Sequence, residues 1–145
     1  MTADYSRNAT RYVSKLASKL RREMEAHSYS EELTGVQGRV LCFILMQEPM
    51  SLNQKSIEEE YDIRPSSASE LLAQLEKKGF IVRKENPENR REKRIAPTEK
   101  ALAVKDEIRS GLDTLEDTLV GDIPEGDLEI FLGVIEKMLV NIDGQ

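Results

Sequence analysis

The sequence holds one cysteine, one histidine, no tryptophan, and only three Phe and four Tyr among 145 residues. A lone Cys42 excludes an internal disulfide framework and suits a reducing compartment. With His27 the single imidazole, no His/Cys cluster has the spacing of a metal site, and neither a metal nor a cofactor is expected. No run approaches the roughly 18 apolar residues of a membrane span, and the opening MTADYSRNATRY has no apolar signal-peptide core. The expectation is a soluble cytosolic protein. The phosphate-cradling patterns G-x-x-x-x-G-K and G-x-G-x-x-G are missing, as is the nucleophile elbow G-x-S-x-G, so the reading is against an enzyme.

What remains is a chain of about one domain's length, rich in Leu, Glu and Lys, which favours helix. Its net charge of −6 is unevenly spread. Residues 64–94 carry nine Lys or Arg against five Glu, a local balance of +4. Residues 1–63 carry eight against ten, and 95–145 carry four against twelve, giving −2 and −8. A protein that holds a polyanion needs positive charge where it touches.

Apolar spacing predicts a first helix through Tyr5, Ala9, Tyr12, Val13, Leu16, Ala17, Leu20 and Met24, with Arg7, Arg11, Lys15, Lys19 and Arg22 on its other face. Thr34 and Gln37 form a capping box opening a second helix that Pro49 ends, and Ser51 with Gln54 repeats the spacing for a short third. After a turn at 61–63, Pro65 suits the first position of a fourth helix that buries Ala68, Leu71, Leu72 and Leu75 and stops at Gly79. This is a helix-turn-helix pattern. A strand at 80–84, a turn at 86–89 and a return strand at 93–96 add a hairpin wing. Thr98 caps a long helix with Ala101, Leu102, Ile108, Leu112, Leu115 and Leu119 in one stripe, which Gly121 closes. Pro124 starts a last helix through Ile142. The expected fold is mostly α with a small β-hairpin: about six helices, a winged helix-turn-helix lobe at 34–98, and helical regions at 1–30 and 99–145. Those outer regions are apolar over a wider arc than one small core needs, which an intramolecular bundle or a dimer interface would explain.

The exposed residues of the fourth helix, Ser66, Ser67, Ser69, Glu70 and Gln74, together with Arg64 before it, are the candidates for entering a major groove. Serines there also cap and solvate a helix, and Glu70 both suits the helix dipole and repels phosphate. Arg90, Arg91, Lys93 and Arg94 cluster at or near the wing tip, where packing has no use for four cations.

The arrangement resembles the MarR family of bacterial winged-helix transcription regulators over nearly the whole chain. That family's wing pattern, D-x-R-x-x-x-V-x-L-T, is matched by the run 89–98 at Arg91, Ile95 and Thr98, while Asn89 stands for the acidic residue and Pro97 for Leu. The run Leu75-Glu76-Lys77-Lys78-Gly79-Phe80-Ile81 is similar to the family's recognition-helix exit. The resemblance implies a homodimer that binds pseudo-palindromic double-stranded DNA as a repressor, and a crevice for a small aromatic or phenolic effector. Tyr12, Arg11 and Met46 are candidates to line that crevice, without any effector residue being assigned. Two other readings stand beside it. One is a winged-helix module that docks a protein, favoured by Glu70 and the net acidity. The other is a thiol switch at Cys42, set against a buried structural thiol because Leu41 and Phe43 flank it.

Overall fold

Short polar side chains set the helix starts. In the computed structural model, which describes residues 6–27 and 30–144, Asn8 opens α1 (Ala9–Ala26) by accepting from the Arg11 backbone N–H. Thr34 opens α2 (Gly35–Met46) with the expected reciprocal box: Thr34 Oγ1 accepts from the Gln37 N–H, and Gln37 Oε1 accepts from the Thr34 N–H. The third helix differs from expectation. α3 (Gln54–Tyr61) is capped by Asn53 with Ser56, not by Ser51 with Gln54. Both pairs share the spacing, but the Ser51 hydroxyl donates to the Glu48 carbonyl at 2.6 Å and so closes the preceding turn. α4 (Pro65–Lys77) has Pro65 at its first position, and the chain leaves it through Gly79 at φ +84°.

β1 (Ile81–Asn86) and β2 (Asn89–Pro97) pair antiparallel, with Arg83 opposite Ile95 and Glu85 opposite Lys93. The return strand therefore starts at Asn89 rather than Lys93. Leu52 bridges the outer edge of β2, its carbonyl accepting from the Ile95 N–H at 2.8 Å, so the base of the hairpin is tied to the segment before α3. The long helix expected from Thr98 is divided into α5 (Glu99–Ala103) and α6 (Lys105–Val120). At Val104 ψ flattens to 2° and the N–H turns to Ala101, a tighter bond than the α-helical one. Gly121, at φ +53°, ends α6, and Pro124 precedes α7 (Glu125–Asp143).

Two compact units result, residues 1–115 and 116–145. The first is built around Leu41, Ile57, Leu72, Leu75, Phe80, Ile95 and Ile108, all fully buried. Each such side chain stabilises by roughly 1.5–3 kcal/mol relative to an exposed one. α1 buries none of its residues: Tyr12, Val13 and Leu16 are exposed, and Tyr5 lies outside the described residues. Leu102 and Leu119, which the spacing puts in one stripe with Ala101 and Ile108, are also exposed. His27 is the half-buried C-cap of α1. In the second unit α7 likewise buries no residue, and Ile130, Val140 and Ile142 are 68%, 70% and 72% exposed.

Cys42 lies in the core, and burial pushes its thiol up from the ordinary value. Tyr61 stands edge-on to Phe43 with ring centroids 5.9 Å apart, and its hydroxyl donates to the Arg39 carbonyl at 3.1 Å. Burial, then the neighbouring Glu60 carboxylate, pushes the phenol up to about 12. Both groups hold their protons more tightly folded than unfolded. Their contribution is therefore complete below the unfolded values, about 8.5 for a thiol and about 10 for a phenol, and is lost as pH climbs toward the folded ones. The urea midpoint is expected to fall through the window from about pH 9 to about 12. Urea titrations at stepped pH check this, with Tyr61→Phe removing the upper part of the decline.

Candidate nucleic-acid interface

α3 and α4 are joined by a three-residue turn. Asp62 sits there in the left-handed region at φ +50°, where its N–H reaches the Glu58 carbonyl, and Arg64 takes the N-cap position of α4 without a side-chain cap. Ala68, Leu71, Leu72 and Leu75 face the core as expected, which fixes the rotation of α4. Arg64, Ser66, Ser67, Ser69, Glu70 and Gln74 are consequently all exposed. The reading face is thus short, hydroxylic and nearly uncharged, with Glu70 its one carboxylate.

Gln74 is the member of that face held from behind. Gln37, only 4% exposed, donates from Nε2 to Gln74 Oε1 at 2.8 Å. Gln37 Oε1 accepts from the Thr34 N–H and from Lys78 Nζ at 2.7 Å. Lys78 Nζ also donates to the Glu32 carbonyl at 2.6 Å. Lys100 ties the same corner to α5: it pairs with Glu32 Oε2 at 2.6 Å, donates to the Lys78 carbonyl, and lies 4.6 Å above the Phe80 ring centre. Sequence spacing assigned Gln37 to the capping box and did not show this second use.

The wing separates its four cations. Arg90 and Arg91 follow the tip at the start of β2 and are exposed, and Lys93 is exposed in the strand opposite Glu85. Arg94 does not sit at the tip. It lies in the body of β2 opposite Lys84, its Nε 2.8 Å from Glu92 Oε1 and its Nη1 3.0 Å from the Ser51 carbonyl. Glu92 Oε1 also accepts from Asn53 Nδ2 at 2.7 Å, so Arg94 and Glu92 brace the wing against the start of α3. The physical reason is the longer strand: with β2 beginning at Asn89, position 94 falls beside the Leu52 bridge rather than in the turn. Asn89 Oδ1 accepts from the Arg91 N–H at 3.2 Å, and Asn86 Oδ1 accepts from the Glu88 N–H at 3.0 Å, so the tip is shaped by amide oxygens without a carboxylate at 89.

Among the described residues, Arg83, Arg94 and Lys100 form ion pairs within the chain, whereas Arg90, Arg91 and Lys93 form none. The Arg83 hydrogen bond holds the Glu76 carboxyl below the usual carboxylate range. Between the wing and α3 lies an open hollow of about 550 Å³ lined by Lys55, Arg83, Arg91 and Lys93 as well as Glu58 and Glu92. Its shape is a surface groove rather than an enclosed ligand cavity. Arg11 lines an open cleft along α1 with Ser14 and Ser18, and neither Tyr12 nor Met46 contributes to it. Among the described residues no group of three His, Cys, Asp or Glu could hold a metal, and no helix is long and apolar enough to cross a membrane.

Residues 33–93 match the model of the MarR family. Solved structures extend the likeness in fold to almost the whole chain. MepR from S. aureus, solved as a DNA complex, is 22% identical, with a TM-score of 0.81 over 93% of this chain and 98% of that one. The transcription regulator MarR from Oenococcus oeni is 19% identical, with a TM-score of 0.75 over 91% of this chain and 98% of its own. CouR from Rhodococcus jostii, bound to p-coumaroyl-CoA, is 19% identical, with a TM-score of 0.81 over 94% of this chain and 95% of that one.

Proposed function

We propose that this chain, whose residues 33–93 form a MarR-family winged-helix domain, acts as a homodimeric transcriptional repressor on pseudo-palindromic double-stranded DNA. One observation carries the reading. Arg90, Arg91 and Lys93 form no ion pair among the described residues, and they stand on the wing that follows α4, whose exposed face is mostly hydroxylic. A wing whose cations were there only for solubility could pair them with the carboxylates at 85, 88 and 92. Here Glu92 is committed to Arg94.

In this reading the two copies of α4 enter successive major grooves, half-sites lying about one helical turn, roughly 34–36 Å, apart. Ser66, Ser67, Ser69 and Gln74 meet base edges, Arg64 meets the backbone, and Arg90 and Arg91 enter the flanking minor groove, where the negative potential is greatest. Lys93 adds long-range attraction. The uncovered apolar residues of α1 and α7 supply the contact between copies. A small aromatic or phenolic acid releases the DNA by favouring a dimer whose reading heads are wrongly spaced. CouR, with its bound p-coumaroyl-CoA, supports the phenolic part of such a ligand, carried there as a coenzyme A thioester rather than as a free acid.

Footprinting the purified protein on genomic fragments over a salt series tests the proposal. A protected pair of half-sites and an affinity that falls steeply with salt are expected. Protection that is absent, or insensitive to salt, points instead to the protein-docking alternative that the exposed Glu70 favours. Sedimentation at micromolar concentration is expected to show a dimer.

A further inference from the structure

Among the described residues Gln37 is the one buried side chain that is polar, and its hydrogen bonds leave no freedom in how its amide is turned. Both groups that meet its oxygen are obligate donors: the Thr34 backbone N–H and the Lys78 ammonium. Its nitrogen must therefore face the other way, toward α4, and it meets Gln74 there at 2.8 Å. An amide nitrogen can only donate, so the Gln74 atom it meets is the oxygen. The Gln74 nitrogen is then left for whatever approaches the exposed face of α4.

We propose that Gln37 is a specificity-determining positioning residue, which turns Gln74 so that the recognition helix presents a donor to the major groove. The inference rests on the DNA-binding reading above. A glutamine with both amide atoms available pairs with adenine, accepting from N6 and donating to N7. The bond from Gln37 turns the Gln74 oxygen back toward α2 and away from the groove, so the amide nitrogen is what faces outward. Its remaining donors match an edge made only of acceptors, which is guanine with O6 and N7. Gln74 thus selects guanine over adenine at one position of each half-site. Lys78 and Thr34 act one step further back, since they fix the Gln37 amide that fixes Gln74.

Gln37→Glu reverses the device without emptying the site. The carboxylate still accepts from the Thr34 N–H and from the Lys78 ammonium, which balances its charge. It can only accept from Gln74, so it draws in the Gln74 nitrogen and leaves the oxygen outward. Selection from a random duplex library with the full-length protein reads the outcome. The wild-type protein is expected to enrich guanine over adenine at one symmetric position by about tenfold, the scale of one good base contact. Gln74→Ala, a surface change, is expected to abolish the preference at that position alone. Gln37→Glu is expected to move it to a base that offers an amino group, adenine or cytosine, with the other positions unchanged. Should Gln37→Glu fail to fold, Gln37→Met keeps length and volume, frees the Gln74 amide, and is expected to bring guanine and adenine within about twofold of each other.

A guanine preference that survives Gln37→Glu or Gln37→Met overturns the proposal, as does a wild-type preference for adenine at the position Gln74→Ala erases. If the wild-type protein enriches no sequence, the DNA reading falls and takes this inference with it. If it enriches a palindrome whose pattern ignores both glutamines, only this inference falls.

Discussion

Replacing Arg90 and Arg91 together by alanine is expected to weaken operator binding about a thousandfold at physiological salt and to lower the salt slope by roughly 3.6. A dimer loses four cations by this change. Each phosphate charge neutralised, by a cation in the groove as by one on the backbone, contributes about 0.9 to the slope of log affinity against log salt, which corresponds to roughly 1 kcal/mol at physiological ionic strength. Four contacts give about 4 kcal/mol, or about three decades. Both side chains are exposed, and neither forms an ion pair among the described residues. The unfolding free energy should therefore stay within about 0.5 kcal/mol of the parent. Arg94→Ala should do the opposite, since Arg94 is bonded to Glu92 and to the Ser51 carbonyl: its loss loosens the wing with little change in salt slope. Fluorescence anisotropy on a defined operator at several salt concentrations separates the two. An unchanged slope in the double variant would remove the wing from the interface.

The contrast between Arg90 and Arg94 shows what was legible in the sequence. Local chemistry was readable: Thr34 with Gln37, Pro65 at the first turn of α4, Gly79 and Gly121 at positive φ, and the inward stripe of Ala68, Leu71, Leu72 and Leu75 all follow from spacing and residue type. The cap of α3 was not, because Ser51–Gln54 and Asn53–Ser56 satisfy the same rule and only the turn closed by the Ser51 hydroxyl decides between them. Strand length was misread for a related reason. Residues 90–92 are charged and carry no apolar alternation, so only pairing with β1 reveals them as strand. The long-range bonds were beyond reach altogether. Gln37 to Gln74 spans 37 positions and Asn53 to Glu92 spans 39, and no periodicity links them. The exposed apolar residues of α1 and α7 had the right pattern for burial, but their own units do not cover them.

Gly35→Ala is expected to destabilise the protein by about 3 kcal/mol, lowering the melting temperature by roughly 10 °C. Helix propensity alone predicts the reverse, since alanine is favoured over glycine in a helix by up to about 1 kcal/mol. The contact decides the sign. A Cβ on Gly35 would lie 2.0 Å from the Met24 carbonyl oxygen and 2.9 Å from its carbon. These are backbone atoms of α1, so no rotamer change relieves the clash and the helix itself must move away from α2. Gly133→Ala supplies the control, because a Cβ there meets nothing within 4 Å; propensity should act unopposed and leave stability equal or higher. The displacement has a functional consequence as well. α1 carries the exposed Tyr12, Val13 and Leu16, and a shift of the whole helix moves that apolar surface as one body, so Gly35→Ala should weaken self-association as well as folding. Thermal melts of the two variants, followed by sedimentation across a concentration series, read both effects. A Gly35→Ala protein that melts at or above the parent temperature would mean that α1 does not approach α2 this closely.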